Sequence, residues 1–216
     1  MTLRDLQDIV RPGESTHVEF KLRFPEPEKI IREAIAFANT KGGFILLGVD
    51  DDGSIRGIKD PEETEQEFVT AMETFGSPDL VYLIEEIILN RKKSVLLIRI
   101  PESKHKPHVI KNSKEFPKGM AFFRVGEHSI QASRELFHIL RHSKKKEGTK
   151  FEFGKKEKLL MQHFEQNSFI TRDEFCSIAG INPYVASRTL VILTRANLLR
   201  IEPGEKTDLF FLNENQ

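Results

Sequence analysis

One cysteine, Cys176, is all the sequence holds, so no disulfide can form within the chain and a reducing, cytoplasmic location is the expectation. No apolar run approaches the roughly 20 residues that span a bilayer, so a membrane is not an expected partner. The opening stretch "MTLRDLQDIV" carries acids on a helical pattern and does not read as a signal peptide. CxxC and HExxH are missing, which removes the usual zinc motifs, and no GxxxxGK[ST] offers a phosphate loop. An excess of either charge is missing too: 33 basic residues balance 33 acidic ones, whereas sequence-independent nucleic-acid binders usually carry a basic surplus. No internal repeat or low-complexity tract is present.

What is there reads as globular. Hydrophobic residues make up 38% of the 216 positions and charged ones 31%, enough for one large domain or a medium and a small one. The charge is unevenly spread. Asp60 to Glu86 contains nine acids and no Lys or Arg, whereas Arg91 to Arg124 contains ten Lys or Arg and two acids. The acidic stretch reads as a solvated helix face. The basic one reads either as a second solvated face or as a surface for an anionic ligand, with Lys104, Lys106, His108 and Arg124 as the expected phosphate contacts. His105 and His108 lack the partners of a zinc site. Cys176 shares an apolar stripe with Phe175 and Ile178, which points to a core position.

"SKKKEGTK", residues 143–150, has no apolar side chain and reads as a linker between a domain at 1–142 and another at 151–216. In the first, a short helix at 3–10 and a strand in "HVEFKLRF" precede a helix in "EPEKIIREAIAFANTKGG". There Ile30, Ile31, Ala34, Phe37 and Ala38 recur at helical spacing, and Gly42-Gly43 can end the helix in a left-handed cap. "FILLGV" is a buried strand, "DDDG" a turn and "SIRGI" a returning strand. Residues 61–76 predict a helix opened by Pro61, "VYLIEEIIL", "SVLLIRI" and "MAFFRV" predict strands, and "ASRELFHILRH" predicts a helix. The fold class that follows is α+β, a mixed sheet with flanking helices.

Past the linker, "KKEKLLMQHFEQN" is an amphipathic helix. Thr171 caps "RDEFCSIAG", and Asn182 caps a long third helix with Pro183 at its first position. Two strands around Pro203-Gly204-Glu205-Lys206 complete the layout of a winged helix-turn-helix domain. Its third helix would enter a major groove, exposing Tyr184, Ser187, Arg188 and Arg195, with Val185, Leu190 and Leu193 in the core. A module of this size can equally serve dimerisation or protein docking.

"GESTHVEFK", residues 13–21, enters a short strand with Val18 and Phe20 on one face and Glu19 and Lys21 on the other. It is the first of four ordered blocks. With "EAIAFANTKGGFILLGVDDDGSIRGI", "ESKHKPHV" and "AFFRVGEHSIQAS", it resembles the Schlafen AlbA-type domain over roughly residues 10–140. The resemblance implies nucleic-acid binding, DNA or RNA, and, with a winged helix behind it, a transcriptional regulator. Some Schlafen members cut transfer or ribosomal RNA at a metal-dependent three-carboxylate site. Carried onto this sequence, that site would be Glu14, Glu19 and Asp50 with Lys21 beside them, the neighbouring Asp51 and Asp52 leaving the register of the third acid open.

Such a trio would hold Mg²⁺ or Mn²⁺, activating water for phosphoester cleavage while Lys21 neutralises the leaving phosphate. The chain has no second half-domain of the eukaryotic Schlafen kind, which a homodimer could supply. The bland alternative leaves turn acids and a Glu19–Lys21 surface pair worth under about 1 kcal/mol. ATP binding, a label the family has also carried, has little support, because Gly42-Gly43 follow a helix rather than open one. A metal-dependent ribonuclease and a protein–protein adaptor are the alternatives to the regulator.

Overall fold

The computed structural model describes residues 1–142 and 153–213, with the side chain of residue 142 excepted. The expected linker at 143–150 lies outside the described residues. The chain divides into two compact units, Met1–Gln131 and Ala132–Gln216.

The first unit is built on α1 (Leu3–Val10), β1 (Val18–Lys21), α2 (Pro27–Asn39), β2 (Gly43–Leu47) and α3 (Pro61–Phe75), then β3 (Gly76–Ser77), β4 (Leu83–Asn90) and β5 (Lys93–Ile100). It ends in β6 (Val109–Ile110), β7 (Phe122–Val125) and β8 (His128–Gln131). Four strands form a mixed sheet in the order β1-β2-β5-β4, with β1 parallel to β2 and the other pairs antiparallel. Period-two alternation splits their side chains between two cores. Ile45, Leu47, Leu96, Ile98 and Ile100 face α2 and α3. Phe20, Leu46, Val95 and Leu97 face Leu6 and Val10 of α1. This is the α+β architecture the patterning implies.

α2 lies at the centre, with Ile30, Ile31, Ala34, Ile35, Phe37 and Ala38 all sealed from solvent. Gly42 ends its path at φ +75°, and a Cβ there would meet Ile100 O at 2.7 Å, so only glycine fits this return into β2. Asn39, also buried, donates to His108 O and Phe122 O and accepts from His108 N, tying α2 to the 101–110 loop and to β7. "SIRGI" does not form a full strand. It makes only the bridges Val49–Ile55 and Ile58–Ser94, because Gly57 turns the chain at φ +69°.

The second unit comprises α4 (Arg134–His142), α5 (Lys155–Phe164), β9 (Phe169–Ile170), α6 (Arg172–Ala179), α7 (Pro183–Arg195), β10 (Leu199–Glu202) and β11 (Leu209–Leu212). Thr171 caps α6 in a reciprocal box with Glu174, and Asn182 accepts from Val185 N ahead of Pro183 in α7. β10 and β11 pair antiparallel, and β9 adds a third strand. Leu160, Ile170, Phe175, Leu190, Leu193 and Phe210 form the core, with Val185 only half-buried.

α4 packs here, ahead of the expected linker. Ile139 joins this core, the Ser187 hydroxyl bonds to Glu135, and the Ser133 hydroxyl bonds to Asp208. The expected boundary after residue 142 put this helix in the first domain; it packs in the second unit, because an apolar stripe announces that a helix is covered but not by which core.

Candidate functional site

β1 sets the geometry of the first unit's charged cluster. Its parallel register places Glu19 beside Ile45 and Lys21 beside Leu47, on the sheet face that α2 covers. Glu19 is 7% exposed, and a buried carboxylate there needs compensation. Two cations supply it. Lys21 Nζ donates to Glu19 Oε1 at 2.5 Å, and Arg124 Nη1 donates to Glu19 Oε2 at 2.9 Å.

Arg124 comes from β7 and its side chain is fully shielded. Nη1 also reaches Glu33 Oε2 at 2.7 Å and Ser129 Oγ at 3.2 Å, Nη2 donates to Ser15 O at 2.8 Å, and the guanidinium lies 4.7 Å from the centroid of the Phe37 ring. Ser129 closes the network by donating to Glu33.

Three carboxylates thus share two cations. Burial, reinforced by the charge of Glu19, pushes the Glu33 carboxyl above the usual carboxylate range. Burial does the same to Glu14, opposed by the Phe20 N–H that donates to its Oε1 at 2.8 Å and by Lys21, whose Nζ lies 3.9 Å away. Glu19 and Asp51 add to the rise in Glu14.

Asp50 follows β2 but serves its own turn. One of its oxygens accepts from Asp51 N at 3.1 Å, and the other faces Arg56 Nε at 3.9 Å. It lines an open cleft with Arg23, Lys59 and Lys93. Glu14, Glu19 and Lys21 are therefore brought together, and Asp50 does not join them. Among the described residues no group of three His, Cys, Asp or Glu side chains could hold a metal ion. Both oxygens of Glu19 already bind cationic side chains, so the trio does not fit Mg²⁺ or Mn²⁺ in this arrangement.

Two of the basic segment's expected phosphate contacts are buried. Arg124 and His108 are 3% and 1% exposed, and neither can meet a phosphate from solvent. Arg124 compensates carboxylates. The His108 ring bonds to Pro78 O and Ser103 Oγ. Lys106 is half-buried and donates to Thr40 O and Glu102. Lys104 is exposed.

The second unit carries a different surface. α4, α6 and α7 enclose a groove of about 470 Å³. Four arginines line it: Arg134 from α4, Arg172 at the start of α6, and Arg188 and Arg195 two turns apart on one face of α7. Pro183, Tyr184 and Val191 give it an apolar floor, and the Tyr184 side chain is mostly exposed. The sole acid on its wall, Glu135, is buried, accepts from Ser187, and stands 3.7 Å from Arg172. Arg172 also pairs with Asp173 at 3.0 Å, but Arg134, Arg188 and Arg195 have no carboxylate partner among the described residues.

Of the α7 residues expected to be exposed, Tyr184 and Arg188 are, whereas Ser187 and Arg195 are half-buried and Ser187 is engaged by Glu135; Arg134, Arg172 and, in the first cluster, Glu33 were not expected at all. Glu33 leaves a trace in the pattern: it is a carboxylate three residues from Ile30 and four from Phe37, on the buried side of α2. Arg134 leaves none, since its helix was expected to pack in the first domain.

Residues 14–133, more than half of the chain, match the model of the family described as Schlafen, AlbA_2. Among solved structures, the N-terminal domain of a RecG-related protein from Nitrosomonas europaea is similar at 26% identity and a TM-score of 0.44, over 62% of this chain and 94% of that one. The DIP2311 protein from Corynebacterium diphtheriae is similar at 16% identity and a TM-score of 0.43, over 65% of this chain, which spans 27% of that protein. No curated protein matches the chain.

Proposed function

The chain belongs to the Schlafen AlbA_2 family, and from that premise we propose that it is a nucleic-acid-binding protein acting in transcription regulation. The family supports the nucleic-acid part. The regulatory part rests on the second unit. Helices α5, α6 and α7 followed by the β10–β11 hairpin support its reading as a winged helix, with α7 as the helix that meets nucleic acid. One observation carries this reading: Tyr184, Arg188 and Arg195 recur along α7 at helical spacing, and both arginines lack a carboxylate partner among the described residues. Guanidinium groups left unpaired on one helix face are poised for phosphate or base edges.

The ribonuclease alternative requires a cation that the first cluster, with both Glu19 oxygens held by Lys21 and Arg124, does not fit. A protein–protein adaptor is separated by salt. Labelled duplex DNA and transfer RNA should bind the full chain, measured by fluorescence anisotropy, with affinity that falls linearly in log–log salt plots. Absent or salt-independent binding would move the reading to the adaptor. Transfer RNA incubated with and without Mn²⁺, and cut only by chains that retain Glu19, would move it to the nuclease.

A further inference from the structure

We infer that the groove between α4, α6 and α7 is a binding site for a nucleoside phosphate, held by its ring on the apolar floor and by its phosphate on the arginines. Arg134, Arg172, Arg188 and Arg195 converge from three helices on one concavity of about 470 Å³. Like charges gathered in this way repel one another unless an anion joins them. Glu135 relieves the repulsion only in part. It is 6% exposed, engaged by Ser187, and directed at Arg172, so three guanidinium groups are left without a carboxylate partner among the described residues.

The choice of anion follows from the floor. Pro183, Tyr184 and Val191 line the same concavity with apolar surface. A bare phosphate or a small carboxylate would leave that surface wet, whereas a nucleobase covers it and stacks on the Tyr184 ring. The fork of an arginine matches two phosphate oxygens at once. The volume falls in the range of small-ligand clefts, roughly 300–1,000 Å³. Arg134 sets this site apart from helix-only recognition, because it stands on α4 and not on α7. α4 walls the groove on one side, so a single nucleotide unit can enter it, whether free or within an unpaired strand.

The test titrates the full chain with fluorescently labelled adenosine diphosphate in one arm and a short labelled single-stranded DNA in the other. Each is repeated with Arg134→Ala, Arg134→Lys and the control Lys104→Ala. Arg134 is exposed, so its variants should melt with the wild type. Loss of a charge-assisted phosphate contact should weaken binding about tenfold or more in Arg134→Ala. Arg134→Lys should recover part of that loss, and Lys104→Ala should change nothing.

Displacement of the strand by unlabelled adenosine diphosphate identifies a free nucleotide as an occupant. An Arg134-dependent strand that the nucleotide does not displace identifies the unpaired strand. Binding that ignores Arg134, or no binding of either probe, overturns the site. Duplex binding that depends on Arg188 but not on Arg134 leaves α7 recognition standing without the groove. Nucleotide binding in a protein that takes up no nucleic acid leaves the groove standing without regulation.

Discussion

Arg124 Nη1 stands 2.7 Å from Glu33 Oε2 with the arginine side chain wholly shielded from solvent, so β7 is fastened to α2 by a buried ion pair. The same nitrogen reaches Glu19 on β1, so β7 is joined to two consecutive elements, β1 and α2, that lie 105 and 91 residues before it at these contacts. A basic residue in a basic segment invites a reading as a phosphate contact. Its burial gives it the opposite duty, to make two interior carboxylates tolerable.

Removing that cation should be costly. Arg124→Ala leaves Glu19 and Glu33 with Lys21 and Ser129 as their remaining partners. Breaking one side of a buried pair typically destabilises by about 3–5 kcal/mol. Urea denaturation should record a loss of that order. Arg124→Lys should recover part of it, since a point charge can face the carboxylates without forking between them. If Arg124→Ala instead lies within about 0.5 kcal/mol of wild type, the keystone role is wrong.

The Glu33 carboxyl gives the first unit a pH signature. Its folded-state pKa lies above the ordinary value of 4.5 because burial and Glu19 disfavour the charge. The folded protein therefore holds this proton more tightly than the unfolded chain. The sign follows from linkage: Glu33 carries no penalty below pH 4.5, and the penalty grows as pH rises from there toward the folded pKa. Glu33→Gln keeps an acceptor for Arg124 and Ser129 without the charge. Its stability relative to wild type should improve across that window and level off above it. A difference that does not change with pH would mean that Glu33 titrates alike in the folded and the unfolded chain.

On α7, Arg188→Ala tests the proposed interface. Arg188 is exposed and adds little to the core, so the melting temperature should stay within a few degrees. DNA affinity should fall by roughly 1–3 kcal/mol if the guanidinium reads a base, and more uniformly across sequences if it meets a phosphate. Wild-type affinity in this variant would assign the second unit to docking.

Much of the fold was legible because its signals are local. Ile30, Ile31, Ala34, Phe37 and Ala38 recur at helical spacing and are buried in α2, and Asn182-Pro183 opens α7. The pairing of Glu19 with Lys21 was legible from strand alternation. Arg124 and Glu33 were not. Their side chains meet across 91 residues, and no local pattern separates a buried basic residue from an exposed one. Asp50 was misplaced for a related reason. Three consecutive aspartates satisfy a motif equally well, and backbone turn chemistry decides which of them the hairpin consumes.

The fastening of α4 offers the last prediction. Ser133 Oγ accepts from Leu136 N at 3.0 Å, capping the helix, while its hydroxyl donates to Asp208. Burial raises the Asp208 carboxyl above its ordinary range, and the charge of Glu135 adds to the rise. Ser133→Ala removes the cap and one partner of a buried carboxyl together, so its cost should combine about 1 kcal/mol for the cap with about 1–3 kcal/mol for the weakened carboxyl. Asp208→Asn keeps a side chain that can accept from Ser133 and removes the buried charge, so it should be much milder. In the double variant the carboxyl no longer needs Ser133, and the cost of Ser133→Ala should shrink toward that of the cap alone. A double-mutant cycle measured by thermal melting reads this coupling directly. Strict additivity would mean that Ser133 and Asp208 act independently and that the hydroxyl does no more than cap α4.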